Sequence, residues 1–247
     1  MLSRAQIKYI QSLQLNKFRT RYGVYLAEGE KLALDLLQSG ATIQQVFATA
    51  PWIAEHAHQF NAPHTEIHTI TEEELKKISS LSMPNKVLMV VGIPSYPMPH
   101  QLDNGLYVAL ENLQDPGNMG TIIRTADWFG CKGIICSENT VDAYNPKVVQ
   151  ATMGSIARMP IFYGDLESVI VSNTHLPAYA AVLEGENVYK AALQPNALLL
   201  IGNEGKGLSE ALIKKAAHRI SIPRYGQAES LNAAMATGIL LSLFRRQ

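Results

Sequence analysis

Cysteine is nearly absent: 247 residues carry only Cys131 and Cys136. That excludes the disulfide-stapled scaffold of a small secreted protein. The two sit in the strand-like run "CKGIIC", where their spacing points them to opposite faces, so neither a shared metal nor a disulfide is expected. They read as reduced, buried thiols of a cytosolic protein. Charge of one sign is missing too. Lys+Arg and Asp+Glu both number 21, for a formal net charge of +0. No global field therefore draws the chain to nucleic acid or membrane, and a polyanion would have to meet a local patch. No apolar run approaches the ~18 residues of a membrane span. The N-terminus lacks the apolar core of a signal peptide. It is basic, acid-poor and amphipathic, mildly like a mitochondrial transit peptide, but it runs directly into patterned sequence, so a cytoplasmic location is expected. Histidines are scattered, and "HAH" at His56 to His58 has no Cys or carboxylate at ligand spacing; no metal is expected. There is no internal repeat and no low-complexity tract.

Hydrophobic content of 47% is that of a globular chain. The stretch 93–105, "IPSYPMPHQLDNG", holds Pro94, Pro97 and Pro99 without apolar periodicity and reads as a linker. The expected organisation is a domain at 1–95, a linker at 96–104 and a second domain at 105–247. The first alternates helix and strand: "AQIKYIQSLQ" helical, "GVYLAEG" extended, "EKLALDLLQSG" a helix closed by Gly40, "VFATA" extended, "TEEELKKISS" a helix opened by Thr71, and "KVLMVVGI" extended. Its basic opening, Arg4, Lys8, Lys17, Arg19 and Arg21, precedes the first acid, Glu28. That run is either a solvated helix face or a patch for phosphates. The second domain repeats apolar strand, turn and helix, with strands "LYVALE", "GIIC", "AYAAVL", "ALLLIG" and "RISIP" and helices near 120–130, 145–153, 208–218 and 230–245. Continuously apolar strands alternating with helices predict an α/β fold with a parallel sheet covered on both faces.

Ligands of such sheets bind beyond the carboxyl ends of the strands, and three loops there are unusual. In "ENLQDPGNMGTIIRTADWFG", Pro116 and Gly117 are expected to form the turn. Asn118 then stands near the helix N-cap, Gly120 gives close backbone access, and Arg124 reaches back over the same edge. "IGNEGKGLSE" is glycine-rich but matches neither phosphate-loop nor dinucleotide spacing, since Lys206 precedes Gly207 and the order is G-x-x-G-x-G. Its Glu204 would repel phosphate, so a cationic cofactor, or a backbone passing close to an adenosine, suits it better. In "ISIPRYGQAESLNAAMATGILLSLF", Ser230 is the expected N-cap of a long apolar helix, Asn232 lies in its first turn, and small residues at Ala233, Ala234, Ala236 and Gly238 permit close backbone approach. A plainly structural reading, capped helices and surface loops, remains open for each loop by itself.

Together, Asn118-x-Gly120 with Arg124, "GNEGKGLS" and "IPRYGQAESLNAA" resemble the three sequence motifs of the SpoU (TrmH) family of RNA ribose 2′-O-methyltransferases, in order and spacing across residues 105–247. "NKFRTRYGVYLAEGEKLALDLL" is similar to the substrate-binding domain that precedes the catalytic one in the ribosomal-RNA branch. The resemblance implies a SPOUT-type parallel sheet whose C-terminal segment is threaded as a trefoil knot, behind a small N-terminal α/β RNA-binding domain. It implies S-adenosylmethionine as donor, with Gly202, Ile222 and Leu231 at the positions of the family's cofactor contacts and Leu183 lining the same cleft. It also implies a homodimer in which the catalytic arginine faces the cofactor of the other subunit, and RNA, most simply 23S rRNA, as substrate. Family accounts often make the arginine a base, but guanidinium groups keep their proton in proteins. Arg124 is therefore assigned to holding the target phosphate or ribose and stabilising the developing alkoxide. Asn118 and Asn232 would orient Arg124 and the ribose, Ser230 would cap the helix, and Glu204 would face the cationic donor or Arg124. In this light the run Arg4, Lys8, Lys17, Arg19 and Arg21 reads as a phosphate-positioning patch. Two departures stand out: Ala233-Ala234 replaces the common Val-Ser, and the front domain shows no aromatic stripe, so no base readout is visible there. A tRNA 2′-O-methyltransferase and a non-catalytic knotted RNA-binding protein are the alternatives; an oxidoreductase fails for want of its fingerprint.

Overall fold

A computed structural model describes residues 1–60 and 65–246. Compactness divides the chain into two units, residues 1–95 with 142–158, and residues 96–141 with 159–247.

The first unit opens with α1 (Arg4–Ser12), held at its start by a reciprocal Ser3–Gln6 capping box, and α2 (Asn16–Tyr22). Then come β1 (Val24–Glu28), α3 (Glu30–Gln38), β2 (Ile43–Ala48), α4 (Ala50–His56), β3 (Glu66–Thr69), α5 (Glu72–Ile78) and β4 (Val87–Gly92). Thr71 caps α5 as its sequence predicts, its side chain accepting from the Glu74 N–H while Glu74 reaches back. The sheet runs β1-β4-β2-β3, with β4 antiparallel to both neighbours and β3 parallel to β2. Ile10, Leu13, Val24, Leu26, Phe47, Leu88 and Val90 form one buried cluster beneath it.

Arg19 corrects the basic-patch expectation. Only 2% exposed, it donates to the carbonyls of Leu13 and Gln14 and, from Nε and Nη2, to one carboxylate oxygen of Asp142. A guanidinium so enclosed braces the α1–α2 corner and does not meet phosphate. Arg4, Lys8, Lys17 and Arg21 are exposed.

The second unit contains β5 (Leu106–Leu110), α6 (Pro116–Trp128) and β6 (Gly133–Cys136). After α7 (Pro146–Thr152), which packs on β1 within the first unit, it continues with β7 (Ile161–Tyr163), α8 (Leu166–Ser172), β8 (Ala178–Asn187), β9 (Ala197–Ile201), α9 (Glu210–Lys215), β10 (His218–Ser221) and α10 (Ala233–Phe244). All pairings in the order β10-β8-β9-β5-β6-β7 are parallel. β5 and β9 are buried throughout, which explains their uninterrupted apolar runs. The chain leaves β5 towards β6 and β7, then returns to lay β9 against its other side. The strand order thus reverses at β5/β9, and the crevice such a switch point creates lies at the carboxyl ends of these two strands. No helix among the described residues is long and apolar enough to cross a membrane.

Cys131 precedes β6 and Cys136 ends it; both are buried and unbridged. Burial pushes the Cys131 thiol up to about 12, against the opposing pull of Arg245, and raises Cys136 further. Iodoacetamide at pH 8 should therefore leave the native protein unmodified and label both thiols once denaturant is added. Rapid labelling of the native protein, read by mass spectrometry, would contradict this packing.

Candidate functional site

The end of β5 and the end of β9 supply the first two loops. After Leu110 the chain turns polar. Asp115 is the N-cap of α6, its Oδ1 accepting the Asn118 N–H at 2.7 Å. Pro116 and Gly117, expected to form the turn, are instead the first helical residues, which suits proline because the first helical N–H has no partner anyway. After Ile201, Gly202 lies against its own loop: a Cβ there would stand 2.2 Å from the Gly207 carbonyl carbon and the Leu208 nitrogen. No side chain fits. The loop closes through paired bonds between Asn203 and Gly207 (3.1 and 2.9 Å), with Gly207 at φ +69. Asn203 Nδ2 then donates to the Asn112 carbonyl at 2.8 Å, tying this loop to the β5 end.

The third loop joins through an unbroken side-chain chain. Asn232 Oδ1 accepts the N–H groups of Ala234 and Met235 at 3.0 and 3.2 Å, which leaves its Nδ2 to donate to Asn118 Oδ1 at 2.8 Å. Asn118 Nδ2 in turn donates to Glu204 Oε1 at 3.1 Å. Glu204 also accepts from the backbone N–H groups of Asp115 (3.2 Å) and Gln114 (3.4 Å). Each amide orientation is dictated by the next, because the helix cap demands an oxygen at one end and the carboxylate a donor at the other. Burial opposes the charge on Glu204, but the bonds from Asn118 and from the backbone of Glu204, Asp115 and Gln114 outweigh it and hold the carboxyl below its ordinary range.

Two expectations change here. Ser230 is exposed and is not the cap of α10; Asn232 is, since its side chain takes both free N–H groups. Glu204 is engaged by Asn118 and backbone donors rather than by Arg124. Arg124 is exposed on α6 and takes no part in the chain of bonds. Six helical residues advance ~9 Å and turn by about 240°, so Arg124 leaves the Asn118 face instead of reaching back to it.

Helices α6 and α10 run parallel. Asn118 meets Asn232 at their starts, Gly238 comes opposite Thr125, and Arg245 donates to the Phe129 and Gly130 carbonyls at 2.7 Å. Both N-termini, with their partial positive charge, thus open at the Asn118–Asn232 contact. Their outer faces carry Arg124 and Trp128 (84% exposed) on α6 and Met235 (60%) on α10.

The four expected cofactor positions lie on or just after the neighbouring strands β8, β9 and β10, or just before α10. Gly202 follows β9, Ile222 follows β10, and Leu231 immediately precedes the Asn232 cap. Leu183 lies on β8 beyond its pairing with β9, which ends at Ala180, and within an excursion that β10 skips between Arg219 and Ile220. With neighbouring strands ~4.8 Å apart, β9 and β10 ends stand about 10 Å from one another across β8. Leu183 is 77% and Leu231 49% exposed, large apolar surfaces held open beside backbone polar groups. Such a mix suits an adenosine.

A cavity of 420 Å³ is lined by Glu111, Asn112, Gln114, Asn139, Asn203 and Lys206 among others, largely from the loops after β5 and β9. Of the residues singled out by sequence, Lys206 and Gly207 line it. Glu111, Asn112 and Gln114 belong to the polar run "ENLQD" immediately after an apolar strand. Among the described residues no group of three or more His, Cys, Asp or Glu is arranged to hold a metal.

Comparison with known proteins matches the SpoU rRNA Methylase family to residues 105–242 and the MRM3-like substrate binding domain to residues 4–89. The chain is 30% identical over 252 residues to the 23S rRNA (guanosine(2553)-2′-O)-methyltransferase RlmP of Bacillus subtilis, spanning 96% of this chain and 94% of that protein. Among solved structures, an AdoMet-bound rRNA methyltransferase from Sinorhizobium meliloti superposes with TM-score 0.90 at 33% identity, covering 100% of this chain and 96% of the other. The SpoU methyltransferase AviRb from Streptomyces viridochromogenes, in complex with AdoMet, gives TM-score 0.86 at 27% identity, over 99% and 98%.

Proposed function

The chain belongs to the SpoU rRNA methylase family, and from that premise we propose that it methylates a ribose 2′-hydroxyl of ribosomal RNA, most simply of 23S rRNA, with S-adenosylmethionine as donor. One observation carries the assignment of the site: Asn232, Asn118 and Glu204 bind three loops into one rigid unit at the strand-order switch point. Family membership supports the reaction, and the chain of bonds supports the roles proposed for this protein's residues.

The donor supplies an electrophilic methyl on a sulfonium whose charge vanishes on transfer. What the protein must add is position and relief of the hydroxyl proton, since a ribose hydroxyl is a poor nucleophile at neutral pH. Gly202, Ile222, Leu231 and Leu183 are proposed to hold the donor, the leucines on adenine and the strand-end backbone on its polar edge. Glu204 sets a fixed negative charge beside that cleft. Asn118 and Asn232 fix the loop geometry and orient the ribose. Arg124 donates to the target phosphate or the developing alkoxide. Ser230, exposed beside Leu231, helps shape the rim of the site.

A dimer through the catalytic domain accounts for the placement of Arg124. It points away from its own Asn118 and shares an outer face with the exposed Trp128, so it would act at the partner's cleft. In the same proposal residues 1–95 bind RNA, 96–104 link, and 105–247 catalyse and carry the knot, whose close threading would suit the glycine contact at 202. Two unbridged, buried thiols fit the cytoplasm as the site of action.

The test is transfer of labelled methyl from S-adenosylmethionine to total rRNA and, separately, total tRNA. Label is expected in large-subunit rRNA, with 2′-O-methylnucleoside released on digestion. Label confined to tRNA would overturn the substrate, and label on a base would overturn the ribose assignment.

A further inference from the structure

The front domain shows no aromatic stripe in sequence, yet folding assembles an aromatic cluster. Tyr9 of α1 meets Tyr22 of α2 edge-on, centroids 5.3 Å apart at 73°. Phe18 lies nearly parallel to Tyr22, at 6.3 Å and 13°, one helical turn before it. Tyr9 and Phe18 are half-buried against the core, whereas Tyr22 leaves 45% of its surface in water. Two exposed cations stand on these rings: Lys17 Nζ is 4.9 Å from the Phe18 centroid, and Arg21 Cζ is 5.8 Å from that of Tyr22. The α2 sequence, NKFRTRY, contains no acid. Asp142 is taken by the buried Arg19, and α5, which packs on α1, spends Glu74 on the Leu2 N–H at the start of the chain.

A ring that only filled the core would be covered. Tyr22 is instead backed by two rings, which limits its freedom, and it is flanked by charges that suit phosphates. We infer that Tyr22, with Phe18, Lys17 and Arg21, forms a platform on which an unpaired base of single-stranded RNA stacks, the two cations meeting the adjoining phosphates. Bases outside a helix are held by stacking on aromatic or guanidinium planes, a contact that duplex RNA cannot offer. The inference rests on the RNA-methyltransferase reading and extends it: the platform would select substrate regions with an unpaired nucleotide away from the reacting ribose.

The full-length protein is titrated with a mixed-sequence single-stranded oligoribonucleotide carrying 2-aminopurine, with its duplex, and with an abasic version. Wild type should quench 2-aminopurine and prefer the single strand. Tyr22→Ala should weaken single-strand binding by roughly tenfold and abolish the quench, with duplex binding unchanged. Tyr22→Phe should restore both. Tyr22→Leu, which keeps apolar bulk without a π face, should not, so loss of folding is separated from loss of stacking. Lys17→Ala and Arg21→Ala should each lower the salt slope by about one. Single-strand binding by Tyr22→Ala within about twofold of wild type, with methyl transfer to rRNA intact, overturns the platform alone. Equal loss on single strand and duplex overturns it in favour of a phosphate patch. Failure of wild type to bind any RNA or to methylate rRNA overturns the platform together with the reading on which it rests.

Discussion

Arg124→Ala should lower single-turnover methyl transfer by roughly 100- to 1,000-fold while leaving the thermal midpoint and S-adenosylmethionine binding unchanged. The separation follows from where the side chain sits. Arg124 is on the solvent face of α6, whose opposite face buries Met119, Ile122, Ile123 and Ala126. Truncating an exposed side chain of this kind shifts stability by no more than about 0.5 kcal/mol. Its guanidinium, however, carries the one positive charge of α6, and the attacking ribose oxygen it is proposed to meet develops negative charge as its proton departs. Arg124→Lys keeps the charge and loses the planar fork, so it should recover only part of the rate. Retention of more than about a tenth of wild-type activity by Arg124→Ala would remove the arginine from the mechanism. A parallel loss of donor affinity would reassign it to cofactor binding.

The same variant tests action across a dimer. Mixing Arg124→Ala with Asn232→Ala subunits gives heterodimers whose two lesions fall in one composite site if Arg124 serves the partner's cleft, leaving the other site whole. A statistical mixture should then regain roughly a quarter of wild-type activity. If Arg124 serves its own cleft, each site carries one lesion and nothing is regained.

What the sequence made legible was set by local chemistry. β5 and β9 were plain because a strand buried on both faces has no alternation to disguise it. α5 was plain because Thr71 and Glu74 form its capping box within four residues. Asn118, Glu204 and Asn232 could be placed at strand ends, but their mutual bonds join positions 86 and 114 residues apart and follow only from the sheet order. Ser230 and Asn232 are both good caps; the choice fell to Asn232 because the same side chain also meets Asn118. Arg19 was grouped with exposed cations since its partner, Asp142, lies 123 residues away. The expected strand "AYAAVL" stops at Leu183 because Glu184 to Asn187 carry no apolar pattern; β8 runs on to Asn187, where Glu186 and Asn187 pair with β10. β7 is three residues long and has no pattern to detect. Tyr9, Phe18 and Tyr22 show no regular spacing until the α1–α2 corner folds them together.

Asn118→Asp is the sharpest test of the bonded chain, because it changes one atom type and no volume. In the native site Asn118 must present an oxygen to Asn232 and a donor to Glu204. The aspartate keeps the first contact and turns the second into a carboxylate facing a carboxylate at about hydrogen-bond distance, where like charges raise the proton affinity of the pair. At pH 8 both are ionised, the loop carrying Glu204 is repelled from the α6 N-terminus, and methyl transfer should fall by on the order of 100-fold, near 3 kcal/mol in the barrier. The sign of the pH dependence is fixed. Wild-type Glu204 is depressed below the ordinary carboxylate range, so its bonds are fully present above that range and are lost only as pH falls through the depressed value. In the variant the coupled pair takes up one proton at higher pH, and a shared proton restores a donor between the two groups. The ratio of wild-type to variant rate should therefore shrink as pH drops from 8 towards 6. Asn118→Ala, which takes one partner from each of Glu204 and Asn232 and adds no charge, should show a defect that does not change with pH over that window. A constant ratio for Asn118→Asp as well would mean that the Asn118–Glu204 contact does not govern the geometry of the reacting site.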